Sequence, residues 1–401
     1  MRVLFTTLPA YGAFQPLAPV ARALEEAGHD VAFAASATFC RVITAAGFRC
    51  VPAGVDWSFD DREAIYTRVR DTLGPHASAF SPLRDVFAGF LPTQMVPDLL
   101  VIAREWPFQM LVREPLEFGG CVAAEALGLP HAACGPLFCF WDGAWHARPG
   151  EVAKPALDGL RAMHGLPPDP DLAMLHRDLY LACLPPSFLG PGLTIPSTVH
   201  FLRPVPFDRL EGETLPRWVE ELPPRPTVHA SLGTIFHRTP GVFEAILAGL
   251  REEPINLLLA VGRDQDPARF GPQPSQVWIE RYLPHALLLP RCDLVITHGG
   301  YGSVMACLDA GVPMVVLPLA GGDQAGNAER CAALGVARVV PSAQHTPEAI
   351  RDAVRDVLGD PSYRENARRL REQIRGLPGP EQAVGLLERL AGDAGRRATS
   401  P

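Results

Sequence analysis

Short apolar runs alternate along this chain with longer stretches in which apolar side chains return at helical spacing. Val3 to Leu8 is such a run, bounded by Pro9 and Gly12, and predicts a buried strand. Pro16 suits the first turn of a helix whose Leu17, Val20, Ala21 and Leu24 share one face, and Gly28 ends it. Val31 to Ala35 predicts the next strand, and Gly47 closes the helix after it. A further unit follows: a strand at Met110 to Val112, a helix from Pro115 to Leu127, and a strand after Pro130. Strands separated by helices imply a parallel sheet covered on both faces.

The second half repeats the pattern. Val228 to Leu232, Leu257 to Val261, Leu294 to Thr297 and Met314 to Leu317 predict buried strands, with a helix at Val242 to Leu250. Between the halves, Pro204, Pro206, Pro216, Pro223, Pro224 and Pro226 stand among charged residues, which makes a semi-rigid connector. The expected organisation is a domain at 1–203, a linker at 204–226, a second domain at 227–375, and a C-terminal helix and frayed tail at 376–401. The fold class is α/β, two Rossmann-like doubly wound domains facing across a cleft, with ligands beyond the carboxyl ends of the strands.

A length of 401 residues agrees with two domains. Net charge is −8, which supplies no broad basic face and argues against nucleic acid as a partner. The nine cysteines show neither CxxC spacing nor a Cys/His cluster, and are expected to be small buried residues in a reducing compartment. No uninterrupted apolar stretch approaches the ~18 residues of a membrane span. The N-terminus reads as a strand rather than an export signal, so a cytoplasmic protein is expected.

The candidate chemistry lies just after strands. Thr297-His298-Gly299-Gly300-Tyr301-Gly302-Ser303 joins a strand to a helix; its glycines let backbone approach a ligand, and the helix N-terminus offers unpaired N–H groups to an anion. A diphosphate suits that site, with His298 and Ser303 as side-chain donors. Asp323-Gln324 pairs an acceptor-only acid with an amide, suited to vicinal sugar hydroxyls, although Asp323 would equally cap a helix. The loop Trp278 to His285 presents Tyr282 for stacking on a base, and Ser231-Leu232-Gly233-Thr234 is a second glycine turn able to approach phosphate.

In that order, these motifs resemble the carboxy-terminal signature of bacterial nucleotide-sugar glycosyltransferases of the GT-B fold, the type that decorates natural products. The match runs from about Val277 to Val340 and extends to the first half at Arg2 to Gly28 and Val112 to Gly128. The resemblance implies an inverting, metal-independent enzyme with no resident cofactor, whose co-substrate is a UDP- or TDP-sugar and which glycosylates an acceptor oxygen or carbon. It implies that Tyr282 stacks on the base, where many members have Trp, and that His298, Gly300, Gly302 and Ser303 hold the diphosphate. Asp323 and Gln324 would bind the sugar, and Thr234 would lie near the phosphate. The partner is a small hydrophobic aglycone, and a homodimer is left open.

One position departs from the family. The first loop reads Tyr11-Gly12-Ala13-Phe14, with Ala13 where members carry the histidine that takes the acceptor proton. Three readings stay open: an inactivating substitution, a different base, or a homologue that binds nucleotide sugar without efficient transfer. Glu114, where the acid that orients the histidine commonly falls, Asp142 and His146 are the candidate bases. Phe14, Phe80, Phe87, Phe138 and Trp141 are candidate acceptor contacts, since large apolar side chains in post-strand loops suit a polyketide, macrolide or aromatic aglycone. A sugar-nucleotide epimerase of the same fold is the other enzyme class considered, and the aromatic-rich first half speaks against it.

Overall fold

The computed structural model describes residues 1–137, 149–205, 213–319 and 323–399. The chain divides into two compact units, one comprising Met1–Leu184, Gly190–Val205 and Pro378–Pro401, the other Pro185–Leu189 and Pro206–Leu377.

The first unit is built on a seven-stranded parallel sheet of β1 (Arg2–Thr6), β2 (Asp30–Ala35), β3 (Cys50–Pro52), β4 (Met110–Arg113), β5 (His131–Gly135), β6 (Leu179–Ala182) and β7 (Val199–Phe201). Their order is β3-β2-β1-β4-β5-β6-β7. The central strands are buried along nearly their whole length, which is why they read as continuous apolar runs rather than alternating ones. One core cluster packs Leu4, Leu111 and Phe118 with Val96 and Leu99 of the helix Leu91–Glu105. The helical run Pro82–Glu105 is long and apolar enough to cross a bilayer by length and composition, yet Val86, Ala88, Val96 and Leu99 are wholly buried within this unit. The helix expected from Pro115 begins instead at Phe118, because the Glu117 carboxylate caps it, accepting from Gly119 N and Gly120 N.

The second unit carries a six-stranded parallel sheet of β8 (Thr227–Ser231), β9 (Asn256–Ala260), β10 (Val277–Glu280), β11 (Leu294–Thr297), β12 (Met314–Val316) and β13 (Ala337–Val339). Their order is β10-β9-β8-β11-β12-β13. β10 corrects the sequence reading, which treats Trp278 onward as loop. It is a half-buried edge strand without a long apolar run, covered by Trp218, whose ring stacks on Trp278 at 5.5 Å.

Two further features differ from expectation. The last helix, Glu381–Thr399, runs into the residues read as a tail, 392–401, and packs in the first unit against the helix Leu17–Glu26; Glu388 reaches His29 Nε2 at 3.0 Å. Cys40 and Cys50 form a disulfide, contrary to the expectation of free thiols throughout, because the helix Ala37–Ala45 and β3 bring their Cα atoms within 5.4 Å. Cys121, Cys134, Cys183, Cys292, Cys307 and Cys331 are buried and not disulfide-bonded.

Candidate functional site

In the second unit, β8, β11 and β12 are neighbours in register, with Thr297 paired to Ser231 on one side and Val316 on the other. The loops that follow them therefore emerge together. Gly233-Thr234 follows β8, His298-Gly299-Gly300 follows β11, and Asp323 opens the helix after β12. The turn at Gly299 has φ +87°, where a β-carbon would also lie 2.8 Å from Val316 Cγ1, so glycine is required.

His298 is 8% exposed and lies between two glycines. A β-carbon on Gly233 would sit 2.6 Å from its Cε1, and one on Gly300 would sit 2.5 Å from its Nε2. The Phe236 ring lies 5.6 Å away. Burial, assisted by nearby His285, pushes the imidazole down to about 4, so it is a neutral N–H donor near pH 7 in the absence of an anion. Its Nδ1 is buried without a protein partner.

The helix Tyr301–Ala310 starts at Gly300, which has no side chain to cap it. Asp323 supplies the cap from the next loop, its Oδ2 accepting from Tyr301 N and from Asn327 Nδ2, both at 2.9 Å. Asn327 Nδ2 also donates to Gly299 O at 2.9 Å, tying the glycine turn to the same network. Burial raises the Asp323 carboxyl above its ordinary value. Gly302 and Ser303 stand half-buried in the first turn, with the helix's positive end behind them. Gln324 is 1% exposed and its Oε1 accepts from Leu319 N at 2.9 Å, so in this state it braces the incoming loop. Thr234 is exposed.

Tyr282 is half-buried in the loop after β10, its hydroxyl donating to Glu213 Oε2 at 3.2 Å. That loop is anchored by two residues that carry no signal in the sequence. His229, wholly buried in β8, donates through Nδ1 to Leu258 O at 3.0 Å, which leaves Nε2 to accept from His285 Nε2, also at 3.0 Å. Nothing in local sequence links positions 229 and 285; the register of the sheet does.

In the first unit, Ala13 sits in the helical turn Tyr11–Phe14 and packs on an apolar cluster of Leu8, Trp57, Ile65, Val69, Val86 and Leu91. Phe80, Phe87 and Leu116 pack on that same cluster, so two of the acceptor candidates share it with position 13. Phe14 turns the other way. It is 2% exposed and its ring meets Phe33, Phe39 and Phe48 edge-on, a core residue with no open face. Phe138, Trp141, Asp142 and His146 lie outside the described residues.

Glu114 follows β4 and is 3% exposed, its Oε2 accepting from Leu116 N at 3.0 Å. Burial dominates its titration and pushes it up to about 8, against the Leu116 amide and the Arg113 charge, with Glu117 reinforcing the rise. Glu117 is also raised by burial, although Thr6 Oγ1 and two amides donate to it. Arg113 is buried, its Nη1 donating to the carbonyls of Glu114 and Pro115 and its Nη2 to that of Leu175.

The chain is similar to known proteins along both units. Residues 22–136 match the N-terminal domain of erythromycin biosynthesis protein CIII-like proteins, and residues 256–390 match the C-terminal domain of the same family. The chain is 31% identical to the 10-deoxymethynolide desosaminyltransferase of Streptomyces venezuelae, over 98% of this chain and 97% of that one. It is 29% identical to the 4'-demethylrebeccamycin synthase of Lentzea aerocolonigenes, over 97% and 99% respectively. Among solved structures it is similar to the glycosyltransferase VinC in complex with dTDP, with TM-score 0.78, 26% identity and coverage of 98% and 100%.

Proposed function

The chain belongs to the erythromycin biosynthesis protein CIII-like family of antibiotic glycosyltransferases, and from that premise we propose that it moves a deoxysugar from TDP to a polyketide-like or aromatic aglycone. It is a nucleotide-sugar-dependent glycosyltransferase of two Rossmann-like domains. TDP rather than UDP is favoured by the dTDP bound in VinC, and a deoxysugar by relatives whose names specify desosaminyl transfer. The observation that carries the reading is His298, held between Gly233 and Gly300 at the start of a helix whose first amide is capped by Asp323. A neutral imidazole beside the start of a helix suits a diphosphate.

The second unit binds the donor and the first the acceptor. The acceptor's O–H proton passes to Glu114, its oxygen bonds to the anomeric carbon, and the bond from that carbon to the diphosphate breaks with its electron pair leaving on TDP. N–H groups of the helix Tyr301–Ala310 and His298 stabilise the departing charge. Glu114 takes the role of base because Ala13 has no proton-accepting atom, and because a carboxyl pushed up to about 8 is a stronger base than an exposed one. The test compares transfer from TDP- and UDP-sugars to macrolide and polyphenol acceptors by the native chain and Glu114→Gln. Undiminished transfer by the Gln variant would remove Glu114 from the mechanism.

A further inference from the structure

The transfer reaction leaves Arg263 unused. Its guanidinium lies over the Tyr282 ring with its carbon 3.6 Å from the centroid, so the face of the proposed base platform is covered. Glu213 joins the two, accepting from the Tyr282 hydroxyl at 3.2 Å and standing 3.7 Å from Arg263 Nη2.

The backbone fixes where Arg263 stands. β9 and β10 pair with Ala260 opposite Glu280, and the ladder continues past the strand ends, Val261 N donating to Glu280 O and Gly262 N to Arg281 O. Continued by that register, residue 262 stands opposite residue 282, so Arg263 lies one position beyond the partner of Tyr282. Gly262 has φ +109°, and a β-carbon there would lie 2.2 Å from His237 Cδ2, so the turn into Arg263 closes tightly on that ring. On the other side Asp264 is clamped, accepting from His237 Nε2 at 2.6 Å and from Arg238 Nε at 2.7 Å. Between these anchors the Arg263 side chain is 65% exposed. Its Cα is held, while its exposed guanidinium is kept in place only by the Tyr282 ring and the Glu213 carboxylate.

We infer that Arg263 is the second wall of the base site, with the nucleobase slotting between its guanidinium and the Tyr282 ring. This rests on Tyr282 being the base platform. Admitting a flat base requires the guanidinium to retreat by one van der Waals layer, about 3.5–4 Å, which an exposed arginine can make without moving backbone. Before binding, Arg263 lies on Tyr282 and shields the apolar ring from water. After binding, its plane stacks on the base and its N–H groups reach the base's carbonyl oxygens, contacts that a lysine cannot reproduce.

The test is calorimetric titration of the full chain with TDP and, separately, with inorganic pyrophosphate, for the native protein, Arg263→Ala, Arg263→Lys and Tyr282→Ala. The expected result is that Arg263→Ala and Arg263→Lys both weaken TDP roughly five- to thirty-fold and leave pyrophosphate within about twofold. Native-like TDP affinity in Arg263→Ala would overturn the inference, as would full recovery in Arg263→Lys, which would reduce Arg263 to a charge. If Tyr282→Ala weakens TDP and Arg263→Ala does not, the second wall alone is lost. If neither variant weakens TDP, the base platform at Tyr282 is lost with it.

Discussion

Gly300→Ala is the substitution by which the geometry around His298 can be tested most sharply. The new methyl would stand 2.5 Å from His298 Nε2 and 2.9 Å from Cε1. Ordinary contact begins near 3.5 Å, so the ring must retreat by roughly 1 Å, and Gly233 backs it on the other side. A misplacement of that size reduces rate on the order of a hundredfold where a group must meet developing charge. The backbone itself tolerates alanine, since Gly300 has φ −62° and ψ 142°. Overpacking of about 1–3 kcal/mol is partly offset by the ~0.4–1 kcal/mol gained from a stiffer unfolded chain. The expected variant is therefore folded, slightly destabilised, and about a hundredfold lower in kcat/KM. His298→Ala alone should lose about a hundredfold or more. Adding Gly300→Ala to it should then lose little, because no ring remains to displace. The assay is kcat/KM for the two single variants and the double, with a thermal melt of each. A full hundredfold loss from Gly300→Ala on the alanine background would refute the reasoning, since the effect would not pass through the imidazole.

Glu114→Gln should abolish the rise of kcat/KM with pH that a base pushed up to about 8 gives the native enzyme; a pH profile unchanged by the substitution would count against it. The same burial makes a stability statement. A carboxyl raised from 4.5 to about 8 on folding stabilises fully below the lower value, and that stability is lost as pH rises through the upper one. Denaturant melts from pH 5 to 9 should show a decline of about 4 kcal/mol in the native chain, absent from the Gln variant. Asn327→Ala removes donors to Gly299 O and Asp323 Oδ2 and should weaken TDP about tenfold, measured by titration; unchanged binding would show the network idle. Replacing Cys40 and Cys50 by serine opens the cross-link between residues ten apart and should lose roughly 2–3 kcal/mol, read as a lower denaturation midpoint. A midpoint insensitive to the substitution or to reductant would show that the bond contributes nothing.

Much of this fold is legible in the sequence, for reasons particular to parallel sheets. Strands such as Leu294–Thr297 are buried on both faces, so they announce themselves as apolar runs, and Pro or Gly marks where they stop. The loop His298 to Ser303 is legible because its chemistry is local: glycines, a histidine and a helix start in one short stretch. What depends on register is not legible. β10 offers only the short run Val277-Trp278-Ile279, the His229–His285 pair spans three strands, and Arg263 reaches Tyr282 only because the strand register brings the end of β9 beside the end of β10. Asp323 takes the helix-capping reading weighed for it, its Oδ2 accepting from Tyr301 N. Phe14 misleads because a phenylalanine beside a functional loop looks the same in sequence whether it turns toward ligand or core; Phe33, Phe39 and Phe48 decide the matter. Ala13 gives weight to an impaired protein, whereas the desosaminyltransferase and the rebeccamycin synthase to which the chain is similar carry the names of active enzymes along nearly their full lengths.

The central claim is that this chain transfers sugar from TDP through the His298 site without a histidine at position 13. Its most direct test is product formation, by mass spectrometry, from TDP-deoxysugars and macrolide or aromatic acceptors, for the native chain beside His298→Ala. Glycosylated product and released TDP are expected from the native chain, with the rate of the variant lower by about a hundredfold. Product formed equally well by His298→Ala, or donor bound tightly and never transferred to any acceptor, would contradict the claim.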